Sequence, residues 1–278
     1  MRIAAICTAL ALGLTACAPT TPTTEGNNVN TLAEVPAIYQ ARQDAGPDGA
    51  PVTIPAVKAG YLNENNRRQR VAYNGPEAAN TIVVDPYARF LYHVLGNGEA
   101  MRFGVAVGKA GTGFSGNATI QRKVRWPSWT PTANMIRTEP GLYGPVSGGL
   151  PGGMQNPLGS RALYLYKGGR DTYYRIHGTM DPSSIGKATS AGCIRLFNQD
   201  IMDLFDELPN GSPVKVRTRA ESLALEGPMT QNPQGYLERA GAPAAVTAPV
   251  TTAAASGTTA SGQQVFTVVS PVESAVRP

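Results

Sequence analysis

Reactive side chains are scarce in this 278-residue sequence, which holds two histidines, three cysteines and two tryptophans. Cys7 and Cys17 fall within the first seventeen residues, so Cys193 is the one cysteine in the body of the chain. If Cys7 leaves with a leader and Cys17 is modified, no intramolecular disulfide can form, and Cys193 is a lone thiol. A zinc centre needs three or four ligands, and His93, His177 and Cys193 lack the tight spacing such centres use. Charged residues make up only 15% and the formal net charge is +5, too weak an excess for a nucleic-acid binder. An excess of this size suits an anionic surface or polymer instead. Long apolar runs are missing too. The run Ile3 to Leu14 is shorter than the roughly 20 residues that a membrane-spanning helix requires.

What is present at the start reads as an export leader: Arg2, a short apolar core, then small residues. The tetrad Leu14-Thr15-Ala16-Cys17 resembles the lipobox of bacterial lipoproteins, whose cysteine is acylated and becomes the new N-terminus. That resemblance makes residues 1–16 a signal peptide, Cys17 the lipidation site and the lipid the only membrane anchor. Ala18, in place of aspartate after the cysteine, implies the outer membrane, with the protein facing the periplasm.

Residues 17–78 are expected to form a flexible linker and N-terminal extension, because Pro, Thr, Ala, Gln and Asp dominate them. The basic cluster Asn66 to Arg70 reads as a solvated turn, with contact to an anionic polymer as the alternative. Strand-like runs start near Thr81: "TIVVD", "RFLYHVL" and "AMRFGVAVG", separated by Asp85-Pro86 and Gly96-Asn97-Gly98. Met101, Phe103, Val105 and Val107 alternate with smaller or polar residues, the period of a half-buried strand. "TIQRKVRW", "ALYLYK", "TYYRIHG" and "SPVKVR" add further strands. One amphipathic helix is predicted, capped by Asn198, with Ile201, Leu204, Phe205 and Leu208 on one face. Pro209-Asn210-Gly211 ends it. From 219 to 278 the composition predicts a low-complexity, disordered tail, with "QVFTVV" as an edge strand or partner segment. "GKAGTG", Gly108 to Gly113, lacks the Gly-Lys-Ser/Thr ending of a phosphate loop and reads as a turn. His93 reads as a structural histidine. The expected fold is mainly β, a sandwich with one or two short helices and a Cys/His loop region.

His177 and Cys193 lie in one stretch, "RIHGTMDPSSIGKATSAGCIRLFN", whose glycines and Pro182 let the chain turn back. A free thiol has a pKa of about 8.5, so little thiolate exists at neutral pH unless a base assists. An imidazole brought alongside can take that proton and leave an ion pair competent for attack. Amides around Cys193 could then line an oxyanion hole. Composition alone leaves a buried, inert cysteine equally open.

The pattern His-Gly-Thr, a loop, then Thr189-Ser190-Ala191-Gly192-Cys193-Ile194-Arg195 resembles the L,D-transpeptidases of the YkuD type, with an ErfK/YbiS-like character. The resemblance covers about residues 79–218 and implies a YkuD-like β-sandwich. It implies Cys193 as nucleophile, His177 as general base and acid, and the Gly178 carbonyl as the group that orients the ring. Ser190, Gly192 and Arg195 take motif positions that shape the pocket or engage substrate. Ala191 stands where many members carry histidine. The implied reaction is attack of Cys193 on a peptidoglycan tetrapeptide stem, release of D-alanine, and transfer to an amine. The amine belongs to a second stem, giving a 3-3 cross-link, or to a protein such as an outer-membrane protein. Water as acceptor gives an L,D-carboxypeptidase, and a non-catalytic peptidoglycan-binding lipoprotein is the remaining alternative. No cofactor or metal is implied, and carbapenems are implied as covalent inhibitors. Trp126 and Trp129, with Tyr143 and Met154 in the following Gly-rich loop, are candidate walls and lid of a substrate cleft; core packing is the plainer role for the tryptophans.

Overall fold

A computed structural model describes residues 35–240, apart from 109–112 and 191. The leader, Cys17 and "QVFTVV" lie outside the described residues. β1 (Arg42–Ala45) and β2 (Pro51–Ile54) pair as a hairpin. Then come β3 (Gln69–Ala72), β4 (Ile82–Asp85), β5 (Phe90–Gly96) and β6 (Glu99–Gly104). β7 (Gly116–Arg125) leads to two short helices, α1 (Ala133–Thr138) and α2 (Pro140–Tyr143). β8 (Arg161–Lys167), β9 (Arg170–His177) and the two-residue β10 (Ile194–Arg195) precede α3 (Asn198–Glu207) and β11 (Pro213–Val216). The described chain ends with α4 (Arg219–Glu226) and the hairpin β12 (Met229–Gln231) and β13 (Leu237–Arg239). No helix among the described residues is long and apolar enough to cross a membrane.

Nine strands make one mixed sheet in the order β10-β9-β8-β7-β11-β4-β5-β6-β3. Its two ends meet. Just past β6, Ala106 bridges Arg195 of β10 through two backbone hydrogen bonds of 3.0 and 2.9 Å. The sheet therefore folds over on itself, and one apolar core fills the inside. Alternate residues supply it: Ile82 and Val84 from β4, Leu163 and Leu165 from β8, Ile176 from β9 and Ile194 from β10. Removing one such side chain from water is worth about 1.5–3 kcal/mol. β4 is buried along its whole length because its outer face is covered as well. There Val83 packs with Tyr73, Phe90, Tyr92 and the nearby Met229. The mainly-β expectation holds.

α3 lies where the Ile/Leu periodicity predicted, with Ile201, Leu204 and Leu208 turned into the core. Its cap differs. Phe197 occupies the N-cap position and makes no side-chain cap bond, while Asn198 begins the helix and turns its amide away from it. The sequence expectation of a linker up to residue 78 also needs correction, because the described chain is folded from residue 35. Tyr39 and Ile54 are fully buried. Asp44, at the end of β1, receives both guanidinium nitrogens of Arg161 at 2.7 and 3.0 Å. Arg125 adds a third contact at 2.5 Å. The cluster at 66–70 is not a free turn either: Arg68 pairs with Asp203 of α3 at 2.6 Å, and Asn66 is buried. Likewise the expected tail from 219 starts with α4, which a capping box secures. Thr218 Oγ1 accepts from the Glu221 amide, and the Glu221 carboxylate accepts from the Thr218 amide.

The Asp44–Arg161 pair is sealed from water, so removing one partner strands a buried charge. Asp44→Ala is expected to lower the unfolding free energy by about 3–5 kcal/mol, read by urea denaturation. Glu64→Ala, which breaks the exposed pair with Arg67, should cost less than about 1 kcal/mol.

Candidate active site

β10 runs parallel to β9, with Ile194 opposite Ile176 and Arg195 opposite His177. Ile176 and Ile194 enter the core. Side chains alternate along a strand, so Arg175 and His177 share the opposite face with Cys193 and Arg195. The structure thus gathers the histidine and the cysteine, sixteen positions apart in sequence, at one edge of the sheet. They make no hydrogen bond to each other. The His177 Nδ1–H donates to the Gly178 carbonyl at 2.7 Å. The Cys193 Sγ lies 4.0 Å from the Tyr173 carbonyl. Catalytic hydrogen bonds are commonly long before substrate arrives.

The loop between them is held from several sides. Ser190 Oγ donates to the Cys193 carbonyl at 2.6 Å and accepts from the Gly192 amide at 3.2 Å. Gly192 has φ of +131°, a conformation that favours glycine. Asn198 is the anchor at the His177 end. Its Oδ1 accepts from the amides of Ser160 and Thr179 at 3.0 and 3.2 Å, and its Nδ2 donates to the Thr179 carbonyl at 2.8 Å. Gly178 passes so close that a Cβ there would sit 2.1 Å from Asn198 Oδ1. Asn66 Nδ2 donates to the Ile185 carbonyl at 3.2 Å, and Arg89 donates to the Gly186 carbonyl at 2.9 Å. Arg89 also reaches the Gly235 carbonyl and Gln231 in the β12–β13 hairpin. Sequence reading missed Asn66 and Arg89, because nothing local links either to a loop about 100 residues later.

Charge in this corner is finely set. Burial, then Arg195 and Arg175, push His177 down to about 3, against the opposing pull of the Gly178 and Leu158 carbonyls. Loss of water raises the Cys193 thiol above its ordinary range, although Arg175 and Arg195 pull it down. Both shifts favour the uncharged forms at neutral pH, so an ion pair between them requires proton transfer from thiol to ring. Arg195 is half-buried beside Cys193, Asp181 and Tyr143, and desolvation lowers its pKa. A small cleft of about 80 Å³ opens next to Gly192 on the core-facing side, walled by Phe114 and Tyr174, whose rings lie 5.8 Å apart.

The four expected substrate-binding residues separate. Trp126 is buried with Ile54 and Met202, and its Nε1–H donates to the Ala45 carbonyl at 2.7 Å. Both its face and its donor are used to dock the β1–β2 hairpin, so it is no cleft wall. Met154 packs on the same cluster. Trp129 and Tyr143 pair with each other, ring centres 6.2 Å apart, and Tyr143 faces Arg195. Ala191 lies outside the described residues.

Residues 79–216 match the model of the L,D-transpeptidase catalytic domain, YkuD. That domain belongs to the YkuD family of L,D-transpeptidases. Among curated relatives, the Probable L,D-transpeptidase ErfK/SrfK of Escherichia coli strain K12 is 34% identical over 160 residues, 53% of this chain and 50% of that one. The Probable L,D-transpeptidase YbiS of the same strain is 36% identical over 129 residues, 46% of this chain and 40% of that one. The chain spans half or less of the length of these two relatives. A crystal structure from Brucella melitensis, described as a probable carnitine operon oxidoreductase, is 48% identical and covers 54% of this chain and 94% of that one, with a TM-score of 0.39. At that score the superposition carries no argument, and the oxidoreductase description concerns that protein alone. Within the YkuD domain, the described hydrogen bonds and burial account for the glycines, Ser190 and Asn198 as parts of one scaffold under Cys193 and His177.

The His177 ring is expected to stay neutral from pH 8 to about pH 4, since its pKa lies at about 3. NMR of the imidazole protons checks this directly, with His93 the only other ring to assign. Unfolded histidine titrates near 6.5, so the unfolded state takes up the proton first. This group's contribution to stability is complete above about 6.5 and is lost as pH falls toward 3.

Proposed function

We propose that the protein is a cysteine-dependent L,D-transpeptidase acting on peptidoglycan tetrapeptide stems. The observation that carries the reading is the β9–β10 register, in which Cys193, one residue before β10, falls on the same face as His177 of β9. Family membership supports it. Cys193 attacks the carbonyl between the third stem residue and the terminal D-alanine. Its proton passes to the neutral His177 as the S–C bond forms and negative charge collects on the carbonyl oxygen. Arg175 and Arg195, both close to the thiol, favour negative charge on sulfur. The thiolate formed beside the ring in turn favours imidazolium. Collapse breaks the C–N bond, His177 returns the proton to the leaving amine, and D-alanine departs with a thioester left on Cys193. An incoming amine then gives its proton to His177, forms the new amide and expels the thiolate, which is reprotonated.

Nucleophile and base enter this scheme as neutral partners, so proton transfer accompanies attack rather than preceding it. The acceptor is a second stem, giving a 3-3 cross-link, or a protein amine. The leader and Cys17 support attachment of this domain to the outer membrane through lipid, on the periplasmic side. Carbapenems, whose strained ring presents an acyl carbon to the same thiol, are expected to acylate Cys193.

Incubation of the chain from Ala18 onward with purified tetrapeptide muropeptides, followed by mass spectrometry of the products, tests the proposal. A stem dimer lacking one D-alanine is expected. Cys193→Ala should abolish the product, and His177→Ala should lower kcat by roughly 10²–10⁴, the usual worth of a positioned base. Tripeptide alone would assign hydrolysis instead. Wild-type turnover by Cys193→Ala would remove the thiol from the mechanism.

A further inference from the structure

Tyr173 stands out on β9, the strand that ends at His177. Its ring is 82% exposed, and its backbone sits at φ +61°, a conformation unfavourable for a residue with a bulky side chain. The strand is irregular here: the β8–β9 register shifts between Tyr164 and Tyr166. Local side chains fix the irregularity. Asp171 Oδ1 accepts from the Tyr173 amide at 2.8 Å, and Thr172 Oγ1 donates to the Leu165 carbonyl at 2.6 Å and accepts from the Tyr174 amide at 3.2 Å. Arg175 grips the Asp171 carboxylate with two bonds of 2.7 and 2.8 Å. The outcome is a Tyr173 carbonyl 4.0 Å from the Cys193 sulfur and a ring that stands in water.

The fold does not need that ring. The same chain meets a left-handed backbone with glycine at Gly168 and Gly169 and with asparagine at Asn80 and Asn97, and the two other large residues it places there, Arg89 and Trp126, are both buried and hydrogen-bonded. At 173 it keeps an exposed tyrosine instead. Bulges next to functional sites re-aim side chains, and strain held there points to a use for the side chain.

We propose that Tyr173 is a substrate-contact residue whose ring packs against the stem peptide held at Cys193. The inference rests on the reading of Cys193 as nucleophile toward that stem. It separates two functions of the bulge: the backbone carbonyl faces the thiol, and the ring supplies a flat apolar surface for the donor chain.

The test compares Tyr173→Gly, Tyr173→Phe and wild type in three measurements: thermal midpoint, rate of Cys193 alkylation by iodoacetamide, and kcat and KM for a tetrapeptide stem. Tyr173→Gly is expected to hold or raise the midpoint by relieving the backbone, to leave alkylation within about twofold, and to raise KM about tenfold or more. Tyr173→Phe should restore KM to near wild type, since the hydroxyl is not required. Wild-type KM in Tyr173→Gly would overturn the inference. So would a loss of midpoint and alkylation together, which would mark the ring as structural. If wild-type protein is alkylated at Cys193 yet turns over no stem, the transpeptidase reading itself fails and takes the contact with it.

Discussion

The structure depends on two rungs of parallel pairing. Ile194 against Ile176 and Arg195 against His177 are all that β10 contributes to β9. A strand this short has no stability of its own, and the surrounding chain supplies it. Burial of Ile194 and Leu196 pulls the segment inward. The Ala106–Arg195 bridge holds its other edge, and Ser190 donates its amide to the Val107 carbonyl at 2.9 Å. α3 begins immediately afterward, and Asn198 ties that start back to Thr179. Asn66 and Arg89 press on the loop from the far side. Asn66 and the β12–β13 hairpin lie beyond residues 79–216, so the site is held by parts of the chain outside the family's matched segment.

The same burial that builds the site decides its charge. An imidazole deprived of water and facing two guanidinium groups resists protonation, and a thiol deprived of water resists ionisation. Sequence reasoning could place a base beside a thiol, and from that it inferred an ion pair. Burial is the first cause favouring the neutral form at both groups; Arg175 and Arg195 reinforce it at His177 and oppose it at Cys193. A neutral thiol is a slow nucleophile toward adventitious electrophiles.

Much of the fold was legible. The core strands announced themselves through alternation, α3 through its Ile/Leu spacing, and the His-Gly-Thr and Ser-Ala-Gly-Cys stretches through their residue types. Three parts were not legible, for different reasons. The β1–β2 hairpin docks through Asp44 onto Arg161, a partner 117 positions away, and four-residue strands leave little periodic trace. Asn198 looks like a cap in sequence, yet with Phe197 buried at the N-cap position its amide is better used by the orphan backbone groups of Ser160 and Thr179. α4 was readable and was missed: Thr218 followed three residues later by Glu221 is a capping box, hidden by the Ala- and Pro-rich composition further on. Trp126 misled because an aromatic near a glycine-rich loop suggests a cleft, and only the contact with Ala45 assigns it to docking.

The central claim is that sulfur of Cys193 carries the acyl group between donor and acceptor. Peptide mapping of wild-type protein, acid-quenched during turnover of a tetrapeptide stem, tests it most directly. The account predicts one thioester, on the peptide containing Cys193, with a mass equal to the stem minus D-alanine. Product formation with no adduct on Cys193, or with the acyl group on another residue, would contradict it.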